Sequence, residues 1–255
     1  MRGRVDASGV GPFCAKGRDS MQNNRVHLTP RLRTIMEQVP AGAHLADIGT
    51  DHALIPTALL RQGRITSAIA SDIRTGPLNS AARTAEQFGL EADISLRLGP
   101  GLSTVQPEEC DTIVIAGMGG ETIAQILDEA PWALDGKHLL LLQAMTAQPQ
   151  LRQYLAAHGG AVRREVLCRE GQRIYTVMVV RGGAGCASQT LSDCCISEAM
   201  LRDPLAEAYL AKQLARERSI CASLEKARVQ KPEELALHRE TIQVLCAAAD
   251  RLRKE

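Results

Sequence analysis

Aromatic side chains are scarce: Phe, Trp and Tyr make up 2% of the 255 residues. So few rings exclude a row of stacking platforms for single-stranded bases and imply a core of Leu, Ile, Val and Ala. Long apolar runs are missing too. None approaches the roughly 18 residues that a bilayer crossing requires, so no membrane partner is expected. Nor does one sign of charge dominate, because a net charge of +1 gives no global basic field. The eight cysteines include no C-x-x-C, and the adjacent Cys194 and Cys195 have no second pair to complete a zinc site. No metal is expected, and scattered free thiols suit a reducing cytoplasm. Residues 1–20 lack the continuous apolar segment of a secretory signal. Rich in Gly, they read as a disordered extension, with Met21 as an alternative start.

The hydrophobic fraction of 45% supports an ordinary buried core, and Gly and Pro punctuate the chain into alternating elements. Thr29 and Pro30 open a helix that Pro40-Ala41-Gly42 stops. Strands are expected at 44–49, 65–73, 94–98, 110–116 and 138–145, and helices at 51–62, 76–88, 121–130 and 149–158. Two further strands, 161–169 and 173–181, face each other across Glu170-Gly171. This alternation predicts an α/β fold: a mostly parallel Rossmann-like sheet with an antiparallel edge, occupying residues 21–185. Its ligand should lie beyond the carboxyl ends of the first four strands, where chain order reverses. After Gly182-Gly183-Ala184-Gly185 the composition changes, and 186–255 read as a second, helical domain. A helix over 203–228 and another from Pro232, whose seam runs Leu235, His238, Ile242, Leu245, Ala249, Leu252, predict an antiparallel coiled-coil hairpin. His238 on that seam reads as a register or half-exposed residue rather than a ligand.

Three corners carry the chemistry. The first, A-D-I-G-T-D-H-A, ends the first strand and places Asp47, Gly49, Asp51 and His52 around one turn. A Gly there lets backbone approach a ligand, and Asp72 at the end of the next strand suits ribose hydroxyls. Without G-x-G-x-x-G this turn does not cradle a pyrophosphate, and its acids better match the ammonium, sulfonium and ribose of S-adenosylmethionine. Gly99-Pro100-Gly101-Leu102 would border the adenine of that cofactor. Ala116-Gly117-Met118-Gly119-Gly120 lacks the Asn or Asp, Pro and aromatic with which amino-methylating enzymes grip an exocyclic amine. Its three glycines leave room for a planar group instead. A tight turn explains one of them easily and three poorly.

Together with S-D-I-R-T-G-P-L-N-S-A, R-L-G-P-G-L, D-T-I-V-I-A-G-M-G-G and R-I-Y, the chain resembles the bacterial TrmK family over roughly residues 32–180. Members are S-adenosylmethionine-dependent tRNA (adenine-N1)-methyltransferases that act on nucleotide 22, and they carry a similar helical hairpin. The resemblance implies cofactor-binding roles for Asp47, Gly49, Asp51, His52, Asp72, Gly99, Gly101, Ala116, Gly117 and Met118. Two departures stand out. The family usually has Asp where this chain has Pro100, and Q-P-M where it has Gln143-Ala144-Met145. Pro100 removes a hydrogen bond to the adenine amine, about 1 kcal/mol, and up to ~3 if the amine is left buried and unpaired.

Adenine N1 has an in-plane lone pair, so the expected task is to align N1, methyl and sulfur. Attack makes the base cationic. Asp51 and His52 are the titratable groups expected to assist at its exocyclic amine, with Met118, Leu102 or Tyr175 supporting the ring. A stretch holding six arginines and two acids, Arg152 to Arg181, reads either as a solvated face or as a phosphate-contacting patch. In the second reading Arg152, Arg163 and Arg164 hold tRNA. A monomer is expected. The rival readings are a methyltransferase of another substrate and a catalytically weak tRNA-binding protein.

Overall fold

The computed structural model describes residues 26–227, 229 and 231–253. The expectations for residues 1–20 and Met21 lie outside those residues. Pro30–Gln38 form α1, where Thr29 caps the helix by accepting the Leu32 N–H and Pro30 occupies its first turn. The sheet comprises β1 (Leu45–Ile48), β2 (Ala68–Asp72), β3 (Ile94–Leu98), β4 (Thr112–Gly119), β5 (Leu139–Thr146), β6 (Ala161–Glu170) and β7 (Arg173–Arg181). Helices α2 (Leu54–Arg61), α3 (Thr75–Phe88), α4 (Gly120–Glu129) and α5 (Gln148–Ala157) alternate with the first strands. Gly89 ends α3 in the left-handed conformation that glycine adopts without a Cβ penalty.

Strand order is β3-β2-β1-β4-β5-β7-β6. The first five run parallel, and β7 is antiparallel to both of its neighbours, β5 and β6. The β6–β7 hairpin therefore forms the antiparallel edge that the sequence suggested, with β7 inside and β6 outermost. A hairpin pattern shows that β6 and β7 pair but not which of them joins the sheet. Alternate residues of the central strands enter opposite layers. Ile48, Ile113, Ile115, Leu140 and Leu142 pack with Ile123 and Leu127 of α4 and Leu151 of α5. Leu45, Val114 and Leu141 pack with Ile35 of α1 and Leu59 of α2. A strand covered on both faces reads as a continuous apolar run, which is why L-L-L-L in β5 is fully buried.

The second helix begins at Leu54, not near Asp51, because Ala53 ahead of it adopts φ +49°. Beyond the sheet, α6 (Glu198–Leu201) leads to α7 (Ala206–Glu225) and α8 (Pro232–Leu252), the former shorter than the 203–228 expected. These two helices lie antiparallel. Leu210 packs with Leu245 and Ala248 near one end, while Glu217 meets His238 Nδ1 farther along. No helix among the described residues is long and apolar enough to cross a membrane.

Candidate active site

The carboxyl ends of β1 to β4 surround a cleft of about 680 Å³, within the range of small-molecule sites. It opens where β1 and β4 lie side by side while their crossovers leave in opposite directions. The turn after β1 is locked from within. Gly49 and Thr50 both donate backbone N–H groups to the Ser71 carbonyl, at 2.8 and 2.9 Å. Thr50 Oγ1 donates to Asp47 Oδ2 at 2.6 Å and accepts the Ala53 N–H at 3.1 Å. Burial pushes the Asp47 carboxyl up to about 6, against the lowering effect of the Thr50 hydroxyl. Asp72, also buried, accepts the Arg74 N–H on Oδ1 at 2.8 Å.

All ten positions proposed for cofactor contact (Asp47, Gly49, Asp51, His52, Asp72, Gly99, Gly101, Ala116, Gly117 and Met118) line this one cleft. Asp51 and His52 sit in the turn ahead of α2 and are exposed, with His52 Nε2 3.5 Å from Asp51 Oδ2. An exposed pair of this kind contributes little to stability, which leaves both side chains free to serve a ligand. Gly49 has φ +72°, and a Cβ there would stand 2.1 Å from Met118 Cε. Bare backbone and the Met118 methyl thus share one wall. Gly117 has φ +78° and would meet only Arg31 Nη1, at 3.7 Å, so the space beside it is open.

The glycine run, which the structure places in the last residues of β4 and the first of α4 rather than after the strand, divides differently from the sequence reading. Gly117 and Met118 line the cleft. Gly119 instead abuts Thr146, and a Cβ on Gly120 would fall 2.3 Å from the Ala147 carbonyl oxygen. Those two serve close packing of β4 and α4 against the end of β5, not the ligand space.

Arg152 is a correction. It is 5% exposed, donating through Nε to Glu165 Oε1 at 3.0 Å and through Nη1 to the Cys194 carbonyl at 2.9 Å. Burial works against its charge, and Glu165 and Tyr209 more than offset that, holding it above its ordinary value. A guanidinium so enclosed is not presented to phosphates, because a charge count along the chain ignores burial. Arg163 and Arg164 do stand exposed, beside an irregularity in β6. Tyr175 does not line the cleft; its half-buried ring lies under the Arg31 guanidinium, 5.7 Å from centroid to Cζ. It is therefore not the free platform for adenine that the sequence offered.

Several cleft residues escaped sequence reading. Ile73, 65% exposed, follows Asp72 and supplies an apolar wall with Pro100 and Ile126. Arg31 reaches the rim from α1 and donates from Nη1 to Gln143 Oε1 at 2.8 Å. The same oxygen accepts the Gly117 N–H at 3.2 Å. Nothing local marks Arg31, since its partner lies 112 residues away. An apolar slot, bare backbone and two buried carboxylates fit the adenine, sulfonium and amino-acid parts of S-adenosylmethionine.

Comparison with known proteins places this geometry. Residues 28–178 match a methyltransferase-domain family. The chain is 40% identical over 160 residues to the tRNA (adenine(22)-N(1))-methyltransferase of Bacillus subtilis, covering 63% of this chain and 67% of that protein. The crystal structure of the B. subtilis tRNA methyltransferase TrmK superposes with a TM-score of 0.72 at 29% identity, over 90% of this chain and 99% of that one. A Streptococcus pneumoniae structure in complex with S-adenosyl-L-methionine gives 0.76 at 30% identity, over 88% and 100%.

Proposed function

We propose, from the premise that this chain belongs to the family of tRNA (adenine(22)-N(1))-methyltransferases, that it transfers a methyl group from S-adenosylmethionine to N1 of adenosine 22 in tRNA. The observation that carries the reading is the meeting of Asp47, Gly49, Asp72 and Gly117 in one cleft at the reversal of the sheet.

When bound, S-adenosylmethionine supplies a methyl group already activated by its positive sulfur. Asp47 would accept from the ammonium and Asp72 from the ribose hydroxyls, while Ile73, Pro100 and Ile126 would enclose the adenine. Gly49 and Gly117 keep the approach clear of side chains where methyl and target base must meet. N1 carries no proton that must leave before attack, so the protein's main work is alignment. The Asp51 carboxylate at the rim would favour the positive charge that builds on the base, and Asp51 or a neutral His52 would take a proton from its exocyclic amine. N1 lies on the Watson–Crick edge, so any pairing of the target must open first. Arg163 and Arg164 supply phosphate contacts. In this reading one chain acts alone in the cytoplasm, residues 21–185 perform the transfer, and the helices of 186–255 extend the RNA-binding face.

The test is incubation of purified protein with labelled methyl donor and a panel of tRNAs, followed by nucleoside mass spectrometry. Label should appear as 1-methyladenosine and vanish when adenosine 22 is replaced by guanosine. Methylation of small molecules alone, or RNA binding with no methyl incorporation, would overturn the proposal.

A further inference from the structure

We infer that Arg31 is an oxyanion-binding residue at the mouth of the cleft. The inference rests on the proposed function and adds a residue to it. Among the described residues, its guanidinium is held in direct contact by neutral groups only. Gln143 Oε1 takes one of its N–H groups at 2.8 Å, and the Tyr175 ring supports it from 5.7 Å. Glu170 accepts the Arg31 backbone N–H at 3.1 Å and feels the Arg31 charge through space, but makes no direct ion pair with the guanidinium. Among the described residues no carboxylate stands within 4.0 Å of the guanidinium, whereas Arg97, Arg152 and Arg239 each have one. Arg74, the other arginine lining the cleft, stands 3.8 Å from Asp72.

A guanidinium has five N–H donors in a rigid fork that fits carboxylate or phosphate. With one donor committed to Gln143, Arg31 keeps others for a ligand. Gln143 also binds the Gly117 N–H, which couples the arginine to the turn where the target base is proposed to lie. Two oxyanions would suit such a fork at the mouth of the cleft: the amino-acid carboxylate of the methyl donor and a backbone phosphate of the tRNA beside its target nucleotide.

The experiment compares wild type with Arg31→Gln and Arg31→Lys. S-adenosylhomocysteine and 5′-methylthioadenosine, which lacks the amino-acid carboxylate, are titrated calorimetrically. The KM for tRNA is measured across a salt series. If the carboxylate is the ligand, Arg31→Gln should weaken S-adenosylhomocysteine about tenfold and leave methylthioadenosine unchanged. If the phosphate is the ligand, both nucleosides bind as before, the tRNA KM rises about tenfold, and the salt slope falls by about one. In either case Arg31→Lys should recover part of the loss. Unchanged binding, KM and salt slope in a folded Arg31→Gln variant would overturn the inference. Equal weakening of both nucleosides would overturn it too, since that reports damage to the nucleoside site. If wild type neither binds S-adenosylhomocysteine nor methylates tRNA, it is the proposed function that fails.

Discussion

Two arginines divide the labour of this molecule. At the junction of α5, β6 and the carboxy-terminal helices, Arg152 is buried against Glu165, whose other oxygen accepts from Ser197, and against the Cys194 carbonyl. At the mouth of the cleft, Arg31 is held by an amide and a ring, with Glu170 near but not paired to its guanidinium. A charge enclosed with its counter-ion joins parts of a fold. A charge braced by neutral groups remains available to a partner. The junction should therefore fail by unfolding, and the cleft by losing its ligand.

The largest effect is expected at the junction. Arg152→Met leaves Glu165 buried with no counter-ion and should cost about 3–5 kcal/mol, read as a lower denaturant midpoint. A shift under about 1 kcal/mol would mean that the ion pair does not hold the junction. On the cleft side, Gly49→Val places a branched side chain at φ +72° and into the Met118 methyl. Calorimetric titration should show S-adenosylhomocysteine weakened by about a hundredfold, or ~3 kcal/mol, in a protein that still unfolds cooperatively. Retained affinity would show that this wall does not face the ligand.

Asp47 sharpens the contrast through pH. Its folded value of about 6 lies above the ordinary 3.8, so the unfolded chain ionises first. Unliganded stability should fall as pH rises from about 4 to about 6 and then level off, by roughly 2–3 kcal/mol in all. Binding of an ammonium-bearing ligand requires the ionised carboxylate and moves the other way. Below pH 6, affinity for S-adenosylhomocysteine should drop up to about tenfold per unit, and Asp47→Asn should bind weakly with a flat profile. A wild-type profile that is flat between pH 5 and 7 would remove Asp47 from the site. The smallest effect is expected for Pro100→Asp, which adds an acceptor at the adenine end and should tighten binding about fivefold, or ~1 kcal/mol. Unchanged affinity would show that this position does not contact the amine.

Much of this was legible along the chain because glycines and prolines act locally. Gly63 and Gly89, at φ +62° and +66°, stop helices where the sequence placed their ends, and Gly171 turns the hairpin between β6 and β7. The acids and glycines around the cleft were readable for a related reason: each lies in the last residues of a parallel strand or just beyond it, so topology alone brings them together. What the sequence concealed depends on contacts distant in the chain. Arg31 meets Gln143 across 112 positions and Arg152 meets Glu165 across 13, and neither burial nor partner is encoded in the arginine itself. Gly119 and Gly120 misled because a glycine demanded by packing looks the same as one demanded by a ligand. Ala53 misled because its left-handed backbone carries no residue-type signal.

Gln143 has a consequence for the local potential. Its single amide oxygen receives both the Arg31 guanidinium and the Gly117 N–H. Glutamate has nearly the same shape and could receive the same two donors, yet it would neutralise the arginine without displacing the turn. The uncharged amide at this position therefore acts as a rheostat setting, fixing how positive the entrance is while the scaffold around it stays the same.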